Sequence, residues 1–287
     1  MDDLLFAPTT TVRGLTCKEL FNYSFAILNP HDRLLNIPER NSKIRKYTFG
    51  ELLWYLSGKD DVATINRYSK FWSNISDDGI HANSAYGKYI FGSMRRKGDG
   101  VDYEFDHPGK YSQWEWCKEL IRNDPNTREA IINIKPVQMY DTKDVVCTLA
   151  LNFYQRNGKL YLTTYMRSND AVKGLTYDVY MFTFLQELMA NELGLLLGEY
   201  THVVTNLHIY EKDWEFMERL VHANRAEMND VDLMPYIEND FRAVDLPILL
   251  KYEKNLAIST EEIKKLSHLS LHLLSYLEDT NNVRENF

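Results

Sequence analysis

A chain of 287 residues with 44% hydrophobic content can bury a large core, as one big domain or two small ones. Its formal net charge of −8 argues against a nucleic-acid polymer as partner, but a few clustered arginines can still hold a small phosphorylated ligand. Cys17, Cys117 and Cys147 form no Cys-x-x-Cys pair, which argues against a disulfide framework or a Cys-rich zinc site and for a reducing compartment. The N-terminus lacks a basic segment followed by an apolar run, and no stretch approaches a membrane span, so a soluble cytoplasmic protein without a metal is expected.

The first element expected is a helix over LTCKELFNYSFAIL (residues 15–28), from a capping-box pattern at Thr16 and Glu19 and a staple of Leu15 with Leu20. TFGELLWYLSG (48–58) predicts a short apolar helix stopping near Gly58. Residues 92–112, charged and glycine-rich, read as a mobile loop; QWEWCKELIRN (113–123) reads as a helix and DPNTR as a turn. REAIINIK is a candidate strand, and CTLALNFYQ and KLYLTTYM flank Asn157-Gly158, a strong hairpin signal. GLTYDVYMFTFLQELMANELG (174–194) predicts a long buried helix closed by Gly194. EYTHVVTNLHIY (199–210) alternates as a strand, with His202, Asn206, His208 and Tyr210 on one face. Residues 259–279 predict one amphipathic C-terminal helix, with Ser259 and Glu262 as a second capping box. Helices mixed with a substantial sheet give an α/β or α+β class.

Several residues can carry chemistry. Cys147 opens a strand after the polar turn YDTKDVV; it is either a small buried hydrophobe or a nucleophile whose pKa a cation must lower. Arg167 lies across the Asn-Gly hairpin and can supply that charge, and Arg167 and Arg128 can each grip a phosphate as a bidentate fork. Glu51 and Asp178 are acids in apolar company. His208 and Tyr210, two apart on one strand face, can donate to a sugar hydroxyl or be satisfied core residues. No His-x-Glu with Pro-Cys-x-x-Cys is present, which argues against a zinc nucleotide deaminase. A hydrolase pairing Cys147 with His208 leaves the arginines and Asp178 unexplained.

Taken together, GELLWYLSG, FWSNI, NSAYGKYIF, NDPNTRE, DVVCTL, MRSNDAVKGLTYDV and NLHIYE resemble the thymidylate synthase family, and within it the pyrimidine hydroxymethylases. The match runs from about residue 48 to 211. The resemblance implies a mixed sheet packed with helices, one catalytic domain over 1–287 with a helical extension at about 248–287, and a sheet-to-sheet homodimer with shared sites. It implies that Cys147 adds to C6 of the pyrimidine of a nucleoside monophosphate. Glu51 would organise proton transfer. Arg167, Ser168 and Arg128 (the last from the second subunit) would bind the 5′-phosphate, and His208 and Tyr210 the sugar. Trp72, Ile75, Tyr86 and Asp170 would line the side of the co-substrate, 5,10-methylenetetrahydrofolate.

Four positions depart from the synthase pattern. Asp178 stands where synthases carry asparagine; a carboxyl can accept from the N4 amino group of cytosine and share a proton with N3, which implies dCMP as substrate. Ile75 replaces the second indole of W-x-x-W, a smaller group that admits water and implies a hydroxymethyl product instead of a methyl one. Arg128-Glu129 replaces an Arg-Arg pair, and Thr148 stands where synthases commonly have histidine. The alternatives that stay open are a methylating relative acting on dCMP or dUMP, a CMP hydroxymethylase, and a catalytically idle nucleotide-binding homologue.

Overall fold

The structure, a computed structural model, describes residues 2–34, 40–96, 103–108, 112–136, 141–222 and 234–278. The N-terminal part comprises α1 (Asp2–Leu5), β1 (Thr9–Val12), β2 (Leu15–Ile27), α2 (Asn41–Leu56), α3 (Val62–Ile65), α4 (Phe71–Ile75), α5 (Tyr86–Phe91), β3 (Gly92–Arg96) and β4 (Tyr103–Pro108). The centre contains α6 (Gln113–Asn123), β5 (Ile131–Asn133), β6 (Thr148–Arg156), β7 (Lys159–Met166), β8 (Asn169–Asp170), α7 (Gly174–Leu193) and β9 (Leu196–Tyr210). Four helices follow: α8 (Trp214–His222), α9 (Asp245–Glu253), α10 (Thr260–Ile263) and α11 (His268–Glu278).

The β6–β7 hairpin forms as its sequence predicts. Asn157 and Gly158 take φ of 51° and 72°, the two left-handed positions of a type I′ turn, whose twist matches the paired strands. Around it the main sheet runs β1-β2-β9-β7-β6-β5, with β8 added beside β9. Its β7–β9 and β8–β9 pairs are parallel and the rest antiparallel, a mixed sheet in an α/β fold. The crossover between β7 and β9 is α7, apolar nearly all round and packed on the inner sheet face. Leu160, Leu162 and Met166 from β7 and Tyr200 and Val204 from β9 meet it, each large apolar side chain contributing about 1.5–3 kcal/mol by burial. Gln186 of α7 donates to the carbonyls of Leu160 and Gly198 at 2.9 and 3.0 Å, pinning the helix to both strands.

Three expectations fail. Residues 15–27 are strand β2, not a helix. Thr16 and Glu19 pair with Thr11 and His208 across the sheet instead of capping, while Tyr23, Phe25 and Ile27 alternate inward against outward Ser24 and Ala26. Partners far along the chain override the local pattern. Within 92–112, β3 and β4 form an antiparallel ribbon where a loop was expected; residues 97–102 and 109–111 of that stretch lie outside the described residues. The single C-terminal helix is two. The Ser259–Glu262 capping box forms, but α10 stops and α11 restarts because buried Asp245 accepts from Ser267 Oγ and, at 2.8 Å, from Ser270 Oγ. At its C-terminal end the long helix 174–194 closes as expected, at Gly194 with φ 68°.

Candidate active site

Cys147 sits half-buried just before β6. The segment leading to it is anchored by buried Asp144, which accepts from Ser84 N at 2.9 Å and from Ser84 Oγ. Because Thr148 lies opposite Met166 in the hairpin ladder, Arg167 emerges beside Cys147. Its guanidinium donates to the carbonyls of Val146 and Val145 at 2.9 and 2.8 Å and approaches the Cys147 sulfur at 3.4 Å. Burial, the largest effect, leaves the Cys147 thiol above its ordinary value; Arg167 pulls it down, and Asp178 and Asp144 push it further up. A charge-assisted contact to a thiolate is the arrangement a nucleophilic cysteine needs.

Two acids lie close by, Asp178 near Cys147 and Glu51 near Asp178. Asp178, in the second turn of α7, is pushed by burial up to about 7, with hydrogen bonding from Asn169 opposing the rise. Glu51 of α2 is pushed by burial up to about 8; the nearby Asp178 charge adds to the shift and the Tyr47 hydroxyl opposes it. Tyr47 donates to Glu51 at 2.9 Å and receives the Trp72 indole N–H at 3.0 Å, so Trp72 of α4 reaches Glu51 through one phenol. Two titratable carboxyls held near neutrality beside a cysteine can hold and hand over protons. Tyr86 of α5 faces both Cys147 and Asp178, and its hydroxyl accepts from Thr148 N at 3.3 Å.

Strand β8 brings in the other polar residues. Asp170 pairs with His208 of β9, and its Oδ1 accepts from the Val172 and Lys173 amides at 2.8 and 2.9 Å. His208 packs edge-on against Tyr210, ring centroids 5.1 Å apart, and its Nδ1 is buried without a hydrogen-bond partner, a donor or acceptor that a ligand hydroxyl can satisfy. Tyr210 feels Asp170, Arg13 and Cys147, so this pair borders the same site. Ser168 is half-buried between Arg167 and Asn169, and Ile75 half-buried one helical turn beyond Trp72. Arg128 and Glu129 lie exposed ahead of edge strand β5, and no interaction among the described residues joins Arg128 to Cys147.

Sequence reasoning gave no role to three neighbours, Arg13, Tyr47 and Asn169. Arg13, in the tight turn between β1 and β2 with φ 51°, lowers the Cys147 and Tyr210 pKa values from the far N-terminus of the chain. Tyr47 donates to Glu51, and Asn169, backed by His202, lowers the Asp178 pKa. An arginine followed by glycine between two β-type runs signals a turn, but nothing in the sequence says which strand it will face. Among the described residues no group of three or more His, Cys, Asp and Glu is arranged to hold a metal ion, and no helix is long and apolar enough to cross a membrane.

A cysteine in contact with an arginine, with two acids of raised pKa nearby on a mixed sheet with a buried crossover helix, is the kind of constellation that covalent catalysis uses. The thymidylate synthase family model matches residues 14–263, and the chain belongs to that family. It is 33% identical over 207 residues to a deoxyuridylate hydroxymethyltransferase of Bacillus phage SP01, covering 70% of this chain and 52% of that protein. It is 26% identical over 171 residues to a thymidylate synthase of Symbiobacterium thermophilum, covering 56% of this chain and 57% of that protein. The chain thus spans little more than half the length of these relatives.

Proposed function

We propose that this protein is a deoxycytidylate 5-hydroxymethyltransferase, converting dCMP, 5,10-methylenetetrahydrofolate and water to 5-hydroxymethyl-dCMP and tetrahydrofolate. The observation that carries the reading is Asp178, an acid with its pKa near 7 facing the Arg167-bound Cys147. Cys147 is the nucleophile that adds to C6, making C5 the carbon that attacks the one-carbon unit. Asp178 accepts from N4 and, carrying its proton, donates to N3 as charge develops there. Glu51, protonated near neutral pH with Tyr47 and Trp72 behind it, holds and returns the protons of the ring edge. Arg167 and Ser168, with Arg13 as a further cation, take the phosphate monoester; His208 and Tyr210 take the sugar. Trp72, Ile75, Tyr86 and Asp170 border the folate, which supplies the carbon.

The outer sheet face supports a homodimer. Tyr154 and Tyr161 (stacked at 5.2 Å), Thr163, Tyr165, Thr201 and Val203 are half-exposed or exposed there, and the helices lie on the other side. A second copy on that face would carry Arg128, exposed at the sheet edge, toward its partner's phosphate site. We read residues 1–287 as one catalytic domain, since α9 and α11 pack on α2, and the free cysteines as those of a cytoplasmic enzyme.

A second reading keeps uracil as the base, because the phage relative is by name a deoxyuridylate enzyme. Mass analysis of product from dCMP, CMP and dUMP with methylenetetrahydrofolate decides. A gain of CH2O on dCMP is expected. A gain of CH2 or turnover confined to dUMP overturns the assignment, and absence of covalent trapping by a 5-fluoropyrimidine nucleotide with the folate overturns catalysis.

A further inference from the structure

Behind Asp178 runs a buried polar chain that the proposed chemistry does not use. Asn169 is 3% exposed, and His202 and Tyr200 are 0% exposed. Asn169 Nδ2 lies 3.1 Å from His202 Nε2, and His202 Nδ1 lies 2.7 Å from the Tyr200 hydroxyl. An amide N–H only donates, so Nε2 accepts and the imidazole proton sits on Nδ1, toward Tyr200. The ring plane is fixed by Phe25, stacked at 5.1 Å. At the other end the Asn169 side chain lies next to Asp178 and lowers its carboxyl pKa, while its Nδ2 also lies 3.1 Å from the Met166 sulfur. Gly174 permits that approach: a β-carbon there would lie 2.5 Å from Asn169 Oδ1 and 3.6 Å from Asp178 Oδ2.

A histidine and an asparagine placed in an apolar core are costly unless their hydrogen bonds are used. Here His202 and Met166 dictate which way the amide faces. The Met166 sulfur, which can only accept, lies 3.1 Å from the same nitrogen as His202 Nε2, so together they keep nitrogen on the His202 side, where a free amide would present nitrogen or oxygen equally.

We propose that Tyr200, His202 and Asn169 are positioning residues that hold one oxygen of the Asp178 carboxyl, leaving the other to read the pyrimidine edge, and thereby set the base selectivity of the site. This deepens the reading of Asp178 as the base-edge acid and rests on it. The other titratable groups facing Asp178 are Glu51 and Tyr55 of α2, Tyr86 of α5 and Cys147 before β6, besides Tyr200 itself; none is altered in the His202 variants.

The test uses His202→Phe, which keeps a stacked ring and removes both nitrogens, His202→Gln, which restores an acceptor, and Tyr200→Phe, which removes only the hydroxyl. Two quantities are read: the kcat/KM ratio for dCMP over dUMP, and the titration of the Asp178 carboxyl followed by carbon-13 NMR in ligand-free protein. In His202→Phe the ratio should fall by about threefold to tenfold, the loss of one hydrogen bond. The carboxyl should titrate at higher pH, because the opposing amide contact is weakened. His202→Gln should recover both, and Tyr200→Phe should move both in the same direction by less. If His202→Phe does not fold, Tyr200→Phe decides alone. An unmoved carboxyl titration in a folded variant overturns the positioning role. Wild-type protein inactive on dCMP instead overturns the substrate assignment, and the titration arm still reports on the chain.

Discussion

Asp178→Asn should make the protein more stable at alkaline pH. The wild-type carboxyl is lifted from its ordinary 3.8 to about 7 in the folded state, chiefly by burial. A group whose folded pKa exceeds its unfolded pKa favours folding below the unfolded value, and that advantage is lost as pH rises through the folded value. The folded state therefore bears a growing penalty between about pH 4 and 7, flat above. Each pKa unit corresponds to about 1.4 kcal/mol, so three units set a ceiling of ~4 kcal/mol. Asp178 is only half-buried, and water at its open side reduces this to about 1–3 kcal/mol. Asparagine has the same shape and no charge to desolvate. At about 2–4 °C per kcal/mol for a chain of this size, the variant should melt about 2–10 °C higher at pH 8 and close to wild type at pH 4. Differential scanning calorimetry from pH 4 to 8 measures the difference directly. A difference that does not grow with pH, or a variant less stable at pH 8, refutes the claim that Asp178 is held in a desolvated state. Stability surrendered at one acid is the expected mark of a functional group.

Cys147→Ser should bring turnover to below about a thousandth while nucleotide binding by calorimetry stays near normal, because a hydroxyl beside Arg167 is not ionised at neutral pH. Ile75→Trp should shift product mass from a gain of CH2O toward CH2, with dihydrofolate appearing; an unchanged ratio in an active variant means Ile75 does not govern water entry. Asp245→Ala should cost about 2–4 kcal/mol in urea unfolding, since it strips the acceptor from Ser267, Ser270 and Asn239 in one buried place.

Much of this molecule is written locally. The Asn157-Gly158 turn, helix α7 with its closing Gly194, and helix α6 follow from residues within a few positions of each other, because backbone dihedral preference and hydrophobic period act at short range. Cys147, Glu51 and Asp178 stand out in the sequence as reactive or acidic groups in apolar company, while the contact of Arg167 with Cys147 is made by the hairpin ladder. What the sequence could not determine is how distant segments meet. Strand β2 carries a helix-start pattern, yet its hydrogen bonds lie with β1 and β9, the latter nearly two hundred residues away in sequence (as with Glu19 and His208). Arg13 reaches Cys147 only because that pairing folds its turn back onto the site. The pKa values of Glu51 and Asp178 have the same origin: desolvation, and for Glu51 also repulsion by Asp178, depend on which surfaces close around them, a property of packing that no local pattern of residues contains.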